Sequence, residues 1–477
     1  MLRSFQHPIP RAWKYRLWPE SAAERRRPIG LPGLWTRLRR LLWSWWVWAL
    51  IAIVMLARHE WGWAIGTGLT AAVAYLLAPA EFPPAYGLDH DMTADEPDFI
   101  GSIVGTTGTP FLGGNSVTVL NNGDEFYPAM LDAIRAARES VTIEAYIYWD
   151  GETGREFAAA LAERSRAGVS VKILLDAVGS ARIGDHILRQ LEDGGCQLAW
   201  FNPPHWYTIG RLNHRTHRKS IMIDGRVGFT GGAGIADQWR GHAQDEHHWR
   251  DMQIRIEGPG MMPLQTGFAQ NWLQTTGELV SGPAFFPTLR TDSPGIFLHT
   301  MLSSPSTGTS AARVLYYYSI SCARQRVLIA NPYFVPDPAA LDTLIDARRR
   351  GVEVVVMMSG RHNDAWLVRQ NSVRLAGRLL EADIAIYEYN RTMLHHKMMI
   401  VDEAWATIGT TNFDNRSFAF NEESNVSFCD RALVQRLVET FNADLDGCDR
   451  LTLDKWRRRG AVNRAKEFVA SFMQDQI

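Results

Sequence analysis

Asn213-His214-Arg215-Thr216-His217-Arg218-Lys219-Ser220-Ile221-Met222-Ile223-Asp224 and Leu394-His395-His396-Lys397-Met398-Met399-Ile400-Val401-Asp402 are two copies of one phrase. Each holds His-x-Lys and then, after four intervening residues, an Asp. The run between Lys and Asp is apolar and β-rich, so each phrase is expected to enter a strand. Side chains two apart on a strand share a face, which lets His and Lys of one copy reach toward the same ligand. A single copy of so short a motif carries little weight. Two copies at equivalent places in a repeated chain carry much more.

The chain around the phrases is repeated too. Arg166-Ala167-Gly168-Val169-Ser170-Val171-Lys172-Ile173-Leu174 runs in register with Arg349-Arg350-Gly351-Val352-Glu353-Val354-Val355-Val356-Met357. Each stretch reads as the end of a helix, a glycine just past it and an apolar strand. In the first half, helices are expected over 127–139 and 156–167, and strands over 117–120, 141–148 and 169–176. In the second half, helices are expected over 311–324 and 340–350, and strands over 327–334 and 352–358. Past the phrases, Phe229-Thr230-Gly231-Gly232 parallels Thr407-Ile408-Gly409-Thr410-Thr411-Asn412. Asp251 and Glu423 each open a further strand-like run. The expected fold is α/β, with two duplicated α/β sandwich halves about a pseudo-twofold axis.

Composition bounds the function. The chain has 477 residues and a formal net charge of -1, without the basic field of a dedicated nucleic-acid binder. Its four cysteines are scattered, as reduced structural thiols are. The charge is uneven, since residues 1–40 carry ten Lys/Arg against two Glu. Two charge-free apolar blocks, 41–57 and 61–80, follow on either side of Arg58-His59-Glu60, with tryptophans near their ends. This pattern predicts a transmembrane helical hairpin. The basic segment ahead of it predicts a cytoplasmic amino terminus, so the catalytic region faces the cytoplasm on a multi-pass protein of a bacterial-type inner membrane. The predicted division is a basic segment 1–40, two membrane helices 41–80, a linker 81–115, a first half 116–290, a second half 291–450 and a basic carboxy-terminal helix 451–477. That last helix reads either as one lying on an anionic bilayer or as a packed helix with a solvated basic face.

Two His and two Lys brought together suit phosphodiester chemistry. One imidazole attacks phosphorus, and the other protonates the leaving alkoxide and then deprotonates the incoming alcohol. The lysines meet the charge gathering on the non-bridging oxygens. The candidate catalytic set is therefore His217, Lys219, Asp224, His395, Lys397 and Asp402. Asp224 and Asp402 are read either as direct participants or as holders of the loop after each strand. Asp251 and Glu423 are candidates to fix the imidazole tautomers. Asn412 and Ser417 are read as phosphate ligands or as caps of the next element. His214 and His396 are read as neighbours of the site, and His242, His247 and His248 as part of a solvated loop. With a lysine pair doing the charge work, no metal and no cofactor is expected.

These phrases, together with the run Gly409 to Ser417 and Asn331-Pro332-Tyr333-Phe334-Val335-Pro336, resemble the phospholipase D superfamily. Within it the chain is most similar to bacterial cardiolipin synthases over roughly residues 100–450. Asn121-Asn122-Gly123-Asp124-Glu125-Phe126-Tyr127-Pro128, Glu144-Ala145-Tyr146-Ile147 and Trp249-Arg250-Asp251 support it. The resemblance implies ping-pong transfer between two phosphatidylglycerol molecules with release of glycerol. It implies His217 as nucleophile and His395 as general acid and base. Gly234 stands where the family's Gly-Gly-x-Asn carries Asn, so restoring Asn there is expected to alter turnover or donor preference. The duplication lets one chain complete the site. Rival readings are a phospholipase D hydrolase, a membrane-tethered nuclease and a non-catalytic lipid-binding scaffold. The near-neutral charge argues against the nuclease and the two intact motifs against the scaffold.

Overall fold

The computed structural model describes residues 44–76, 92–94, 96–204, 213–305 and 310–474. The basic segment 1–40 lies outside them, as does 77–91. Residues 90–475 form one compact unit and the chain before them another.

In the second unit the β-branched runs become strands. They are β1 (Phe111–Asn121), β2 (Ser140–Ala145), β3 (Ser170–Asp176), β4 (Gln197–Phe201), β5 (Arg215–Thr216), β6 (Lys219–Ile223), β7 (Val227–Gly231) and β8 (Met252–Glu257). The second half supplies β9 (Ile296–Ser303), β10 (Arg326–Ala330), β11 (Glu353–Ser359), β12 (Ala385–Tyr389), β13 (Lys397–Val401), β14 (Trp405–Gly409), β15 (Asn421–Phe428) and β16 (Cys448–Leu451). Among the described residues they form one mixed sheet ordered β16-β12-β11-β10-β13-β14-β15-β9-β1-β8-β7-β6-β2-β3-β4, with β5 off this path against β15. Without β16, the order read outward from the β9–β1 junction is the same in both halves. The junction is antiparallel, with Leu112 opposite Leu298 and Asn115 opposite Ile296, as a pseudo-twofold requires.

The helices follow the expected periodicity. Asn122–Ala136 buries Phe126, Met130 and Ile134 on one face, and Pro338–Arg349 buries Leu341, Leu344 and Ile345. Gly168 and Gly351 follow their helices at φ +91 and φ +95, a conformation that suits glycine. One core draws on both halves: Met222, Ile254 and Phe268 share it with Leu328, Met398 and Val426.

The stretch read as a linker is corrected in its second part. Pro97–Thr107 is a helix with Phe99 and Ile103 buried. Phe99 stacks on Tyr318 at 5.2 Å and meets Trp405 edge-on at 5.1 Å. Residues 111–115 already belong to β1.

In the first unit, Trp45–Ala57 and Trp61–Leu76 are helices of 13 and 16 residues. At 1.5 Å per residue they are about 20 and 24 Å long, against a hydrocarbon core of ~30 Å. Among the described residues no helix is long and apolar enough to cross a membrane.

Candidate active site

Both phrases reach the site by the same backbone device. Arg215 and Thr216 of β5 lie parallel to Asn421 and Glu422 at the start of β15, and the His217 N–H donates to the Glu422 carbonyl at 2.9 Å. In the other copy Leu394 bridges Arg250 in parallel, and the His395 N–H donates to the Arg250 carbonyl at 2.8 Å. Each phrase thus runs beside the residue that precedes the acid of the opposite half.

The side chains follow the backbone. His217 Nδ1 lies 3.0 and 3.1 Å from the two carboxylate oxygens of Glu423. His395 Nδ1 lies 2.7 Å from Asp251 Oδ2. The acids are exchanged between the halves. With Nδ1–H donated to a carboxylate, each imidazole keeps its Nε2 lone pair for chemistry. Lys219 Nζ donates to the His217 carbonyl at 2.9 Å, and Lys397 Nζ donates to the His395 carbonyl. Lys397 Nζ also stands 3.3 Å from His395 Nε2. Tyr146 meets His217 edge-on at 5.1 Å and lies 5.3 Å from Lys219 Nζ. Tyr333 does the same for His395 and Lys397 at 6.1 and 5.9 Å.

All six groups are buried: the two imidazoles, the two ammonium groups and the two acids. Burial pushes His217 down to about 4, with Glu423 opposing and Lys219 adding to the shift. Burial and then Lys397 push His395 to about 3, against Asp251. Burial and Lys397 push Lys219 down to about 7. Burial takes Lys397 to about 8, with Asp251 and Glu423 opposing. Burial alone would raise Glu423, yet His217 and Lys219 hold it below the usual range. Asp251 is likewise held low against its burial by His395 and Lys397. His217 responds to Lys397 and His395 to Lys219, so both phrases feed one site. The arrangement is two neutral imidazoles, two ionised carboxylates and two easily discharged ammonium groups, which calls for an anion between the lysines.

Behind the acids the symmetry ends. Trp239 Nε1 donates to Asp251 Oδ2 at 2.8 Å, whereas Glu423 accepts the Thr410 hydroxyl. Gly232 occupies the place that Thr410 has in the second half. A Cβ at 232 would meet Asp251 Oδ1 at 2.2 Å, so only glycine leaves that carboxylate its room.

Asp224 and Asp402 are not part of the cluster. Each lies past the far end of its strand, roughly 16 Å along the chain from the lysine at ~3.3 Å per residue. Asp224 accepts the N–H groups of Arg138, Glu139 and Ser140 at 2.8–3.2 Å. Asp402 accepts those of Arg324, Gln325 and Arg326 at 2.7–2.9 Å. Both adopt φ 52. This corrects the catalytic placement of the two aspartates: each carboxylate closes a turn onto the strand start of the neighbouring β-element. Asp224→Ala and Asp402→Ala should each lower stability by about 2 kcal/mol and leave kcat within about threefold of the parent. Thermal melts read against turnover below the melt check this.

Asn412 is buried and its Oδ1 has no hydrogen-bond partner. Its N–H donates to the Ser417 hydroxyl at 3.2 Å, while the Ser417 N–H donates to Asp414 Oδ1 at 2.8 Å. Ser417 therefore holds the turn, and Asn412 presents an amide two residues from Thr410. A Cβ on Gly234 would come within 2.8 Å of Ile147 Cβ and 3.0 Å of its carbonyl. That contact is the physical reason for glycine at 234, and an Asn there would have to displace strand-end backbone.

Trp239, Thr410, Tyr146 and Tyr333 were absent from the candidate set. Tyr146 and Tyr333 do lie in stretches that carry the family resemblance, Glu144-Ala145-Tyr146-Ile147 and Asn331-Pro332-Tyr333-Phe334-Val335-Pro336, but nothing local ties either ring to the histidines. Trp239 lies in no such stretch.

The chain matches the family description "Cardiolipin synthase, PLD-like domain" over residues 130–249 and 317–445, a segment in each half. It is 34% identical over 352 residues to cardiolipin synthase 2 of Bacillus anthracis, covering 73% of this chain and 68% of that one. To the major cardiolipin synthase ClsA of Bacillus subtilis it is 31% identical over 384 residues, covering 80% and 79%. The crystal structure of a phosphatidylserine synthase from Haemophilus influenzae superposes with a TM-score of 0.61 at 13% identity, over 78% of this chain and 96% of that one, which shows a shared fold. With matched segments in both halves, and the paired His-x-Lys phrases meeting in one site, the chain belongs to the cardiolipin synthase family of phospholipase D-like phosphatidyltransferases.

Proposed function

We propose that the chain joins two phosphatidylglycerol molecules into cardiolipin and releases glycerol, through a covalent phosphohistidine. The observation that carries this reading is the pair of buried imidazoles, each oriented through Nδ1 by a carboxylate, between two buried lysines. In the first step His217 Nε2 attacks phosphorus and the bond from phosphorus to the glycerol oxygen breaks. His395 Nε2–H gives its proton to that oxygen, and glycerol leaves. In the second step neutral His395 takes the proton from a hydroxyl of the second phosphatidylglycerol. That oxygen attacks phosphorus, the P–N bond breaks, and His217 returns to its starting form. Glu423 supports positive charge on His217 in the intermediate, and Lys219 and Lys397 hold the non-bridging oxygens. An anionic phosphodiester raises the pKa of the groups around it, so the proton on His395 is stabilised when substrate binds. His217 is assigned as nucleophile because its Nε2 is free of the lysine contact that His395 carries. Asn412 supplies a further donor to phosphate and Ser417 supports its turn.

The test is purified protein with phosphatidylglycerol in micelles. Cardiolipin and glycerol in equal amounts are expected, and phosphatidic acid as the sole lipid product would overturn the transfer reading.

The pH profile follows from the lysines. Each is pushed below its unfolded value, so its charge is present at low pH and lost as pH rises through about 7 for Lys219 and about 8 for Lys397. Anion binding needs that charge. KM should therefore be flat below about pH 7 and rise above it, by about tenfold per pH unit for each lysine that discharges. A KM that falls between pH 7 and 9 would contradict this.

The halves are taken to divide near residue 290, on the matched strand orders. The hairpin 41–80 is proposed to hold the protein in the inner membrane, with the segment 1–40 and the catalytic region on the cytoplasmic side. Its support is the absence of charge in both blocks and the outward exposure of Trp46, Ile53, Trp63 and Leu69. Protease should digest the catalytic region in inside-out vesicles, and protection there would sink this topology.

A further inference from the structure

The helix Ala461–Ser471 packs with the opposite polarity to an ordinary surface helix. At about 100° per residue, Val462, Ala465, Phe468 and Val469 fall in one arc. That arc faces outward, with Val462 69%, Phe468 50% and Val469 57% exposed. The buried face is small and polar, made by Glu467, Ala470 and Ser471. Specific bonds lock this orientation. Asn371 Nδ2, from the helix Trp366–Glu381, donates to the Ala470 carbonyl at 2.8 Å. Arg459 holds Glu467 through two bonds of 2.6 and 2.9 Å. Rotating the helix to hide the apolar arc would break both.

The charge around the arc names its partner. Arg464 and Lys466 stand on its two flanks and are exposed. Arg457 and Arg458 precede it and are exposed as well. Glu467, the one acid of the helix, is already neutralised by Arg459. A second copy of the chain would bring the same basic flanks against these, which repels. One face of an 11-residue helix also falls short of the ~800 Å² per partner of a stable protein interface. An apolar arc between basic flanks suits an anionic lipid surface, with the arc among acyl chains and the flanks at the headgroups.

The arc is mechanically tied to the catalytic cluster. Helix Trp366–Glu381, which carries the Asn371 bond, begins two residues after Asp364. That carboxylate accepts the Tyr333 hydroxyl at 2.5 Å, and Tyr333 packs against His395. Trp366 itself is 48% exposed.

We propose that the Ala461–Ser471 helix is a docking surface by which the catalytic body itself rests on an anionic bilayer. The test is local to the helix, so that any other membrane anchor in the full chain does not answer for it. A photoreactive benzophenone amino acid is placed at position 468 or, as control, at position 463, and the full chain is reconstituted in nanodiscs. Lipid adducts are expected from position 468 with phosphatidylglycerol discs and at least about tenfold fewer with pure phosphatidylcholine discs or from position 463. Equal adducts in both lipids, equal adducts at both positions, no adduct, or a cross-linked dimer of the chain would each overturn the proposal. In parallel, Val462→Ser, Phe468→Ser and Val469→Ser combined should lower transfer from bilayer-embedded substrate about tenfold and leave transfer in detergent micelles unchanged. An equal loss in both settings would point to damage rather than docking.

Discussion

His217→Ala should abolish cardiolipin formation, and it should do so differently from His395→Ala. Each is expected to cost at least ~10⁴-fold with phosphatidylglycerol, because a nucleophile or the acid for a poor leaving group has no substitute in the site. The two separate with a phosphodiester whose leaving group needs no proton, such as a nitrophenol. His395→Ala should then burst with nitrophenol and accumulate an acid-labile phosphohistidine, since no base remains to activate the acceptor alcohol. His217→Ala should give neither burst nor label. The reverse pattern would exchange the two roles while keeping the shared site. Label in both variants would mean that either imidazole can attack.

The second large effect tests the exchange of acids between the halves. Glu423→Gln and Asp251→Asn keep size and shape but remove the carboxylate from Nδ1, which frees the imidazole to adopt the wrong tautomer. By analogy with the triad aspartate, a loss of ~10³–10⁴-fold is expected for each. The activated substrate again separates them. Glu423→Gln should block the burst as His217→Ala does. Asp251→Asn should leave the burst and impair only turnover, as His395→Ala does, although Asp251 lies in the same half of the chain as His217. If Asp251→Asn instead lost the burst, the crossed pairing could not be the working arrangement. Combining His217→Ala with Glu423→Gln should add almost nothing to the single loss, because both act through one imidazole. Melting temperatures of the variants separate these effects from a loss of fold.

Much of this is legible in the sequence. The two phrases, the matched helix–glycine–strand stretches around Gly168 and Gly351, and the apolar runs of β6 and β13 are local patterns. They report a duplicated α/β chain because helix and strand periodicities are properties of neighbouring residues. The lysines were legible for the same reason: a cation opening an apolar strand implies burial, and burial implies an anion. Of the two readings that the phrases leave open for their aspartates, the loop-holding one matches the geometry, because closeness in sequence is not closeness in space. A strand of five residues carries its far end away from the site, and there Asp224 and Asp402 close turns. Pro and Gly around Pro97–Thr107 give a linker-like local pattern, yet the segment is a helix. What orders it is Phe99 against Tyr318 and Trp405, partners more than two hundred residues away.

Local pattern alone establishes that this chain is a duplication and that each copy delivers one His and one Lys to a strand start. It also marks Asp251 and Glu423 as the acids of matching strands. Which acid serves which histidine is set by the packing of the two halves. His217 meets Glu423 across 206 residues and His395 meets Asp251 across 144. Those distances close because β5 lies against β15 and Leu394 against Arg250. That register belongs to the packing of one half on the other, and no local pattern encodes it.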